Sequence, residues 1–172
     1  GLAIVVSPLI SLMKDQVDAL VANGVRAALL NSSLSSAEAR EVSARMDAGG
    51  LDLLYVAPER LMMAEFLEQI ATIPLALFAI DEAHCISQWG HDFRPEYTRL
   101  GRLRELFPKT PVIAMTATAD PQTRDDIISQ LGIRAAKVFV AGFDRPNITY
   151  TVVPKQKPAA QLAGFLSGRR DE

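Results

Sequence analysis

Residues 75–97 read LALFAIDEAHCISQWGHDFRPEY. Six consecutive apolar residues, Leu75 to Ile80, run straight into the acidic pair Asp81-Glu82. An apolar run of that length without alternation fits a strand buried on both faces, the habit of parallel sheets covered by helices. The polar stretch that follows gathers the chain's only Cys (Cys85), its only Trp (Trp89) and both of its His (His84 and His91). An acidic pair, two imidazoles, an indole and a phenylalanine thus share one short segment directly after a buried strand.

Outward from this stretch, three more apolar runs read as strands: Leu2–Val6, Leu51–Val56 and Val112–Met115. Helical patterns alternate with them. Ser11–Asn23 carries apolar residues at 12, 13, 17, 20 and 21 and stops at Gly24. Ser35-Ser-Ala-Glu38 is a capping-box pattern that opens a helix to about Ala48. Pro58–Ile70 reads as a third helix, and Asp120-Pro121 as the N-cap and first residue of a fourth that ends at Gly132. Strands alternating with helices predict an α/β domain with a mainly parallel sheet. After Gly142 the texture changes: 143–147 is turn-like, Ile148–Val153 alternates like a half-exposed strand, and Lys155–Leu166 is helix-like. The expected division is therefore 1–142 as one domain and 143–172 as a linker leading into a second.

The 172 residues are 49% hydrophobic and 22% charged, an ordinary globular composition. The formal net charge is −2, so any nucleic-acid partner must use a local basic surface. A single Cys excludes an internal disulfide framework and fits a reducing cytosol. No apolar run approaches the roughly 20 residues of a membrane span, and the first residues lack the basic start of a signal peptide. The absence of an initiator Met and the abrupt strand-like start lead us to expect an internal piece of a longer protein.

Each of the four apolar runs ends in a distinctive polar segment. These are Ser7-Pro8 through Gln16, Ala57-Pro-Glu-Arg60, Asp81-Glu-Ala-His84 and Thr116-Ala-Thr118. In open parallel sheets ligands bind outside the carboxyl ends of the strands, so four such ends together predict a site there. An Asp directly after a buried strand is the arrangement in which P-loop NTPases hold Mg²⁺. A neighbouring Glu can orient or deprotonate an attacking water. A bare Asp-Glu would read equally well as two solvated acids at a loop start; the apolar run before it and the Ala-His after it favour the functional reading.

With these residues in view, the chain resembles the RecQ-type DNA helicases, superfamily 2 enzymes with two RecA-like motor domains. The matching stretches are VVSPLISLMKDQV, LLYVAPERL, DEAHCISQWGHDFRPEY, MTATAD and FDRPNI, in the family's order and spanning nearly the whole chain. The resemblance implies a RecA-like fold, ATP and Mg²⁺ as cofactors, and single-stranded and forked DNA as partners. It implies that Asp81 holds Mg²⁺, that Glu82 is the catalytic carboxylate, and that His84 couples the nucleotide and DNA sites. Gln88 to Arg94 would form an aromatic-rich loop, with Trp89 and Phe93 as stacking residues and His91 and Arg94 as polar members. Ser7, Pro8, Ser11, Lys14 and Gln16 match one DNA-side motif, and Pro58, Glu59 and Arg60 a second. Thr116 and Thr118 match the motif that links hydrolysis to strand movement.

Bases of any sequence can stack on exposed rings at about 1–3 kcal/mol per base, and Lys14, Arg60 and Arg94 supply local positive charge for phosphates. No G-x-x-x-x-G-K-[ST] occurs in the chain. These 172 residues alone are therefore expected to bind ATP poorly and, with a sheet strand missing, to dissolve poorly. The family's zinc-binding module has no counterpart here. A truncated, non-catalytic DNA-binding module is the alternative reading. A metal-dependent hydrolase using Asp81, Glu82, His84 and His91 is a weaker one. Cys85, His84 and His91 lack the paired spacing of a structural zinc site.

Overall fold

The computed structural model describes residues 1–89, 92–142, 147–149 and 151–167. The expectations attached to His91 and to residues 143–146 of FDRPNI lie outside the described residues. The chain divides into two units, Gly1–Ala136 and Lys137–Glu172.

The first unit is built on five parallel strands: β1 (Leu2–Val6), β2 (Ala27–Leu30), β3 (Leu53–Val56), β4 (Leu75–Ile80) and β5 (Val112–Ala114), in the order β2-β3-β1-β4-β5. The four apolar runs each supply a strand. The inner strands are apolar on both faces: Ile4, Val6, Leu54, Val56 and Phe78 are fully buried. Phe78 packs a tilted ring against Phe107 at 5.3 Å between centroids. Each fully buried side chain of this size contributes about 1.5–3 kcal/mol relative to exposure, which is why the centre of the sheet holds the fold together.

The helices of this unit are α1 (Ile10–Ala22), α2 (Ser36–Asp47), α3 (Pro58–Leu61), α4 (Ala64–Ala71), α5 (Pro95–Thr98), α6 (Leu103–Leu106) and, after β5, α7 (Pro121–Gln130). The capping box forms as expected: the Ser35 side chain accepts from the Glu38 backbone N–H, and the Glu38 carboxylate accepts from the Ser35 N–H at 2.8 Å. Asp120 caps α7, accepting from the Thr123 N–H at 2.7 Å, with Pro121 next in line. Gly132 sits at φ 65° just beyond that helix, a conformation that an L side chain resists.

Two differences from the sequence expectation stand out in this unit. β2 was not expected; its four residues Ala-Ala-Leu-Leu give neither β-branching nor length, and it forms the sheet edge beside β3. The expected helix 58–70 is two helices, because Met63 takes an extended backbone (ψ 135°) between them. At the other edge, β5 pairs only with β4 among the described residues, and Ile113 and Met115 are exposed there.

The second unit contains α8 (Pro158–Ser167), which has no buried residue. The expected strand at 148–153 is absent among its described residues, where Val152 is 97% exposed. Alternation alone makes no strand without a partner to receive its backbone hydrogen bonds.

Candidate functional site

The parallel register lines up the ends of the strands. Val6 is the register partner of both Val56 and Ile80, and Ile80 pairs with Ala114. The residues that follow, Ser7, Ala57, Asp81 and Met115, therefore form one row along the carboxyl rim. The chain leaves β1 toward β2 on one side of the sheet and leaves β4 toward β5 on the other. Among the five described strands, the crevice between β1 and β4 is thus the topological switch point, the kind of place where open α/β sheets bind ligands. Asp81 stands at its mouth.

The backbone turns sharply after Asp81. Glu82 has φ 47°, the only positive φ at a non-glycine among the described residues. Several hydrogen bonds hold this turn. The Asp81 Oδ1 accepts from the Glu82 N–H at 2.9 Å, and the Ala83 N–H donates to the Met115 carbonyl at 2.9 Å. The Tyr97 hydroxyl donates to the Asp81 carbonyl at 3.0 Å. Tyr97 is fully buried, and burial pushes its hydroxyl pKa up, so it remains a donor.

The carboxylates of Asp81 and Glu82 are half-buried, and the second oxygen of Asp81 has no hydrogen-bond partner among the described residues. Two hard oxygen donors beside a crevice, one of them uncommitted, fit Mg²⁺, which keeps several waters and takes only one or two carboxylates from the protein.

A single 3-10 turn, Ala83–Ile86, connects the acids to the aromatic segment, and all four of its residues are buried. His84 points its Nδ1 to the Thr116 hydroxyl at 2.8 Å and to the Glu82 carboxylate at 3.4 Å. Thr116 in turn accepts from the Thr118 N–H at 3.2 Å and donates to the Thr118 carbonyl at 3.3 Å. With its own hydrogen committed to that carbonyl, the Thr116 oxygen acts as acceptor toward His84. The carboxylate can only accept, so a proton on Nδ1 would serve both contacts. His84, Glu82, Thr116 and Thr118 form one connected group.

Beyond the turn, Trp89 is 68% exposed and Phe93 36%, so both rings are open to a partner. Gln88 is exposed beside Trp89. Arg94 turns partly inward instead: it pairs with Asp92 at 3.1 Å and donates to the Pro8 carbonyl at 3.3 Å. It links the aromatic segment to the end of β1, and its charge is shared with a carboxylate.

His84, Cys85 and Asp92 bring one ligand atom each within 4.8 Å of one another. The chemistry runs against a metal there: Arg94 already neutralises Asp92, whose pKa its hydrogen bond lowers, and burial pushes the Cys85 thiol up to about 11.

The remaining expected DNA-side residues divide by burial. Ser11, Lys14, Gln16 and Glu59 are exposed; Pro8 and Arg60 are half-buried; Ser7 and Pro58 are buried. Ser7 instead ties the rim together through its N–H, which donates to the Val56 carbonyl at 3.2 Å. Lys14 pairs with Asp18 at 2.6 Å, one helical turn away, and both are solvent-exposed, so the pair holds its cation weakly. Arg60 lies over the Phe66 ring at 5.9 Å, and its Nε has no hydrogen-bond partner among the described residues.

Sequence reasoning assigned no role to Tyr97, Ser87, Asp92 or Asp126. Tyr97 closes the DEAHCISQWGHDFRPEY stretch and was within view, but only the fold shows its hydroxyl beneath the Asp81 carbonyl.

Comparison with known proteins gives the family of the chain. The DEAD/DEAH box helicase family matches residues 1–127. The chain is 54% identical over 170 residues to the ATP-dependent DNA helicase RecQ of Pasteurella multocida, covering 99% of this chain and 27% of that protein. It is 46% identical to the Bacillus subtilis protein of the same name, covering 100% of this chain and 29% of that one. The chain thus spans between a quarter and a third of the length of these relatives. The Pyrococcus furiosus Hef helicase domain superposes with a TM-score of 0.56 at 19% identity, over 77% of this chain and 28% of that one, a likeness of fold. These matches make the chain a member of the DEAD/DEAH box helicase family, of the RecQ type.

Proposed function

We propose that this chain is part of a motor that couples ATP hydrolysis to movement along single-stranded DNA and to unwinding of duplex and forked DNA. The 3′→5′ direction of travel is part of the proposal and rests on the resemblance to the RecQ type. The observation that carries the reading is the distance along the chain: one buried 3-10 turn separates Glu82 at the switch point from the exposed ring of Trp89.

Glu82 is the carboxylate that orients the attacking water and accepts its proton, as that water's oxygen bonds to the terminal phosphorus and ADP departs. Asp81 would hold Mg²⁺, which would supply positive charge for the phosphate oxygens. His84 reads the state of Glu82 through Nδ1 and passes it to Thr116. Trp89 and Phe93 stack against bases without regard to sequence. Lys14 and Arg60 face the phosphates, which gives affinity that falls with salt.

The test is Glu82→Gln in the complete gene product. ATP hydrolysis should fall by two or more orders of magnitude, on the order of the loss of a general base, while the Kd for single-stranded DNA stays within about twofold. Retained hydrolysis would refute the role of Glu82, and loss of DNA binding in parallel would point to a collapsed site.

A further inference from the structure

Ser87 ends the 3-10 turn and is only 1% exposed. Its hydroxyl donates to the Asp126 carboxylate at 2.7 Å and accepts from the Trp89 backbone N–H at 3.1 Å. Asp126 belongs to α7, whose Thr123 and Ile127 are buried, with Leu131 just beyond also in the core. The helix is therefore a fixed support. The same return segment reaches the other end of the turn, where Thr116 holds His84. Residues 116–126 thus grip the turn at two points, one beside the hydrolytic carboxylate and one at the root of the aromatic segment.

We propose that Asp126 is a positioning residue for Trp89, acting through Ser87, and that this second grip is what lets a displacement at Trp89 reach His84 and Thr116. This rests on the motor reading above. A serine hydroxyl has one hydrogen. While that hydrogen is committed to Asp126, its lone pairs face the Trp89 N–H and fix the direction in which the segment leaves the turn. With Asp126 removed, the hydroxyl rotates to another acceptor and the Trp89 N–H loses its oriented partner. Trp89 then stays exposed and able to stack, but moves independently of the turn. DNA contact and hydrolysis each survive while the link between them weakens.

The experiment uses the complete gene product labelled with 5-fluorotryptophan, the resonance of position 89 being identified by its loss in Trp89→Phe. Asp126→Ala and Ser87→Ala should narrow and shift that resonance without DNA. They should leave the basal ATPase rate unchanged and reduce the ratio of DNA-stimulated to basal rate by about tenfold. The double variant should be no worse than either single one, because both remove the same link. Asp126→Asn keeps a carbonyl oxygen for the Ser87 hydroxyl and the same shape, so it should fold and recover most of the ratio. The proposal is overturned if Asp126→Ala leaves resonance and ratio as in the parent, or lowers basal and stimulated rates equally. If DNA fails to move the position-89 resonance of the parent while Asp126→Ala still narrows it, the grip stands and the stacking role of Trp89 falls instead.

Discussion

Glu82 holds a left-handed backbone conformation, φ 47°, ψ 43°, at the point where strand becomes site. An L residue with a Cβ is disfavoured there by about 1–2 kcal/mol, a cost that glycine does not carry. Replacing Glu82 by Ala or by Gly removes the same carboxylate and the same contact with His84, so the difference between the two variants isolates the backbone. Gly gives up about 0.5–1 kcal/mol against Ala through the greater freedom of its unfolded chain. The balance favours Glu82→Gly over Glu82→Ala by about 0.5–1 kcal/mol, the reverse of the usual order. Urea unfolding followed by circular dichroism would read this as a higher midpoint for the Gly variant, at equal slope, by a few tenths of a molar. An Ala variant as stable as the Gly variant would refute the idea that strain is stored in this turn. Neither variant should hydrolyse ATP. The strained position and the proposed water-handling position are the same residue, which is where stored strain is expected to gather.

Tyr97→Phe removes the hydroxyl beneath the Asp81 carbonyl without changing the packed ring, and should destabilise by about 0.5–1.5 kcal/mol, the loss of one part-buried hydrogen bond; an unchanged urea midpoint would mean the carbonyl finds another partner. The capping box gives a pH dependence. The Ser35 hydroxyl and N–H lower the Glu38 pKa below its ordinary 4.5. Its contribution is therefore complete above that value and lost as pH falls through the lower folded value. Glu38→Gln should accordingly be less stable than the parent at about pH 6 and indistinguishable from it at about pH 2, whereas a constant difference would contradict the assignment.

The strands that build the central sheet were legible because burial on both faces leaves a run of apolar residues that nothing else in the chain imitates. β2 escaped because Ala27 and Ala28 carry no strand preference and its place is given by pairing with β3, a contact distant in sequence. The break at Met63 escaped because no Gly or Pro marks it. In the candidate site, the place of Asp81 and Glu82 at the end of β4 and the exposure of Trp89 were readable from the apolar run that ends at Ile80. The direction in which a long side chain turns was not: Arg94 has the same sequence neighbours whether it meets a phosphate or, as here, Asp92 and the Pro8 carbonyl. Ser87 and Asp126 were invisible for the same reason, since their meeting depends on α7 folding back against the turn.

The central claim is that the acids and the rings communicate through one buried turn. Its most direct test is the ATPase rate of Trp89→Ala in the complete gene product, with and without single-stranded DNA at saturation. The account predicts a basal rate within about twofold of the parent and a DNA-stimulated rate lowered about tenfold or more, the loss of roughly one stacking contact. Equal loss of both rates, or stimulation that survives intact, would contradict it.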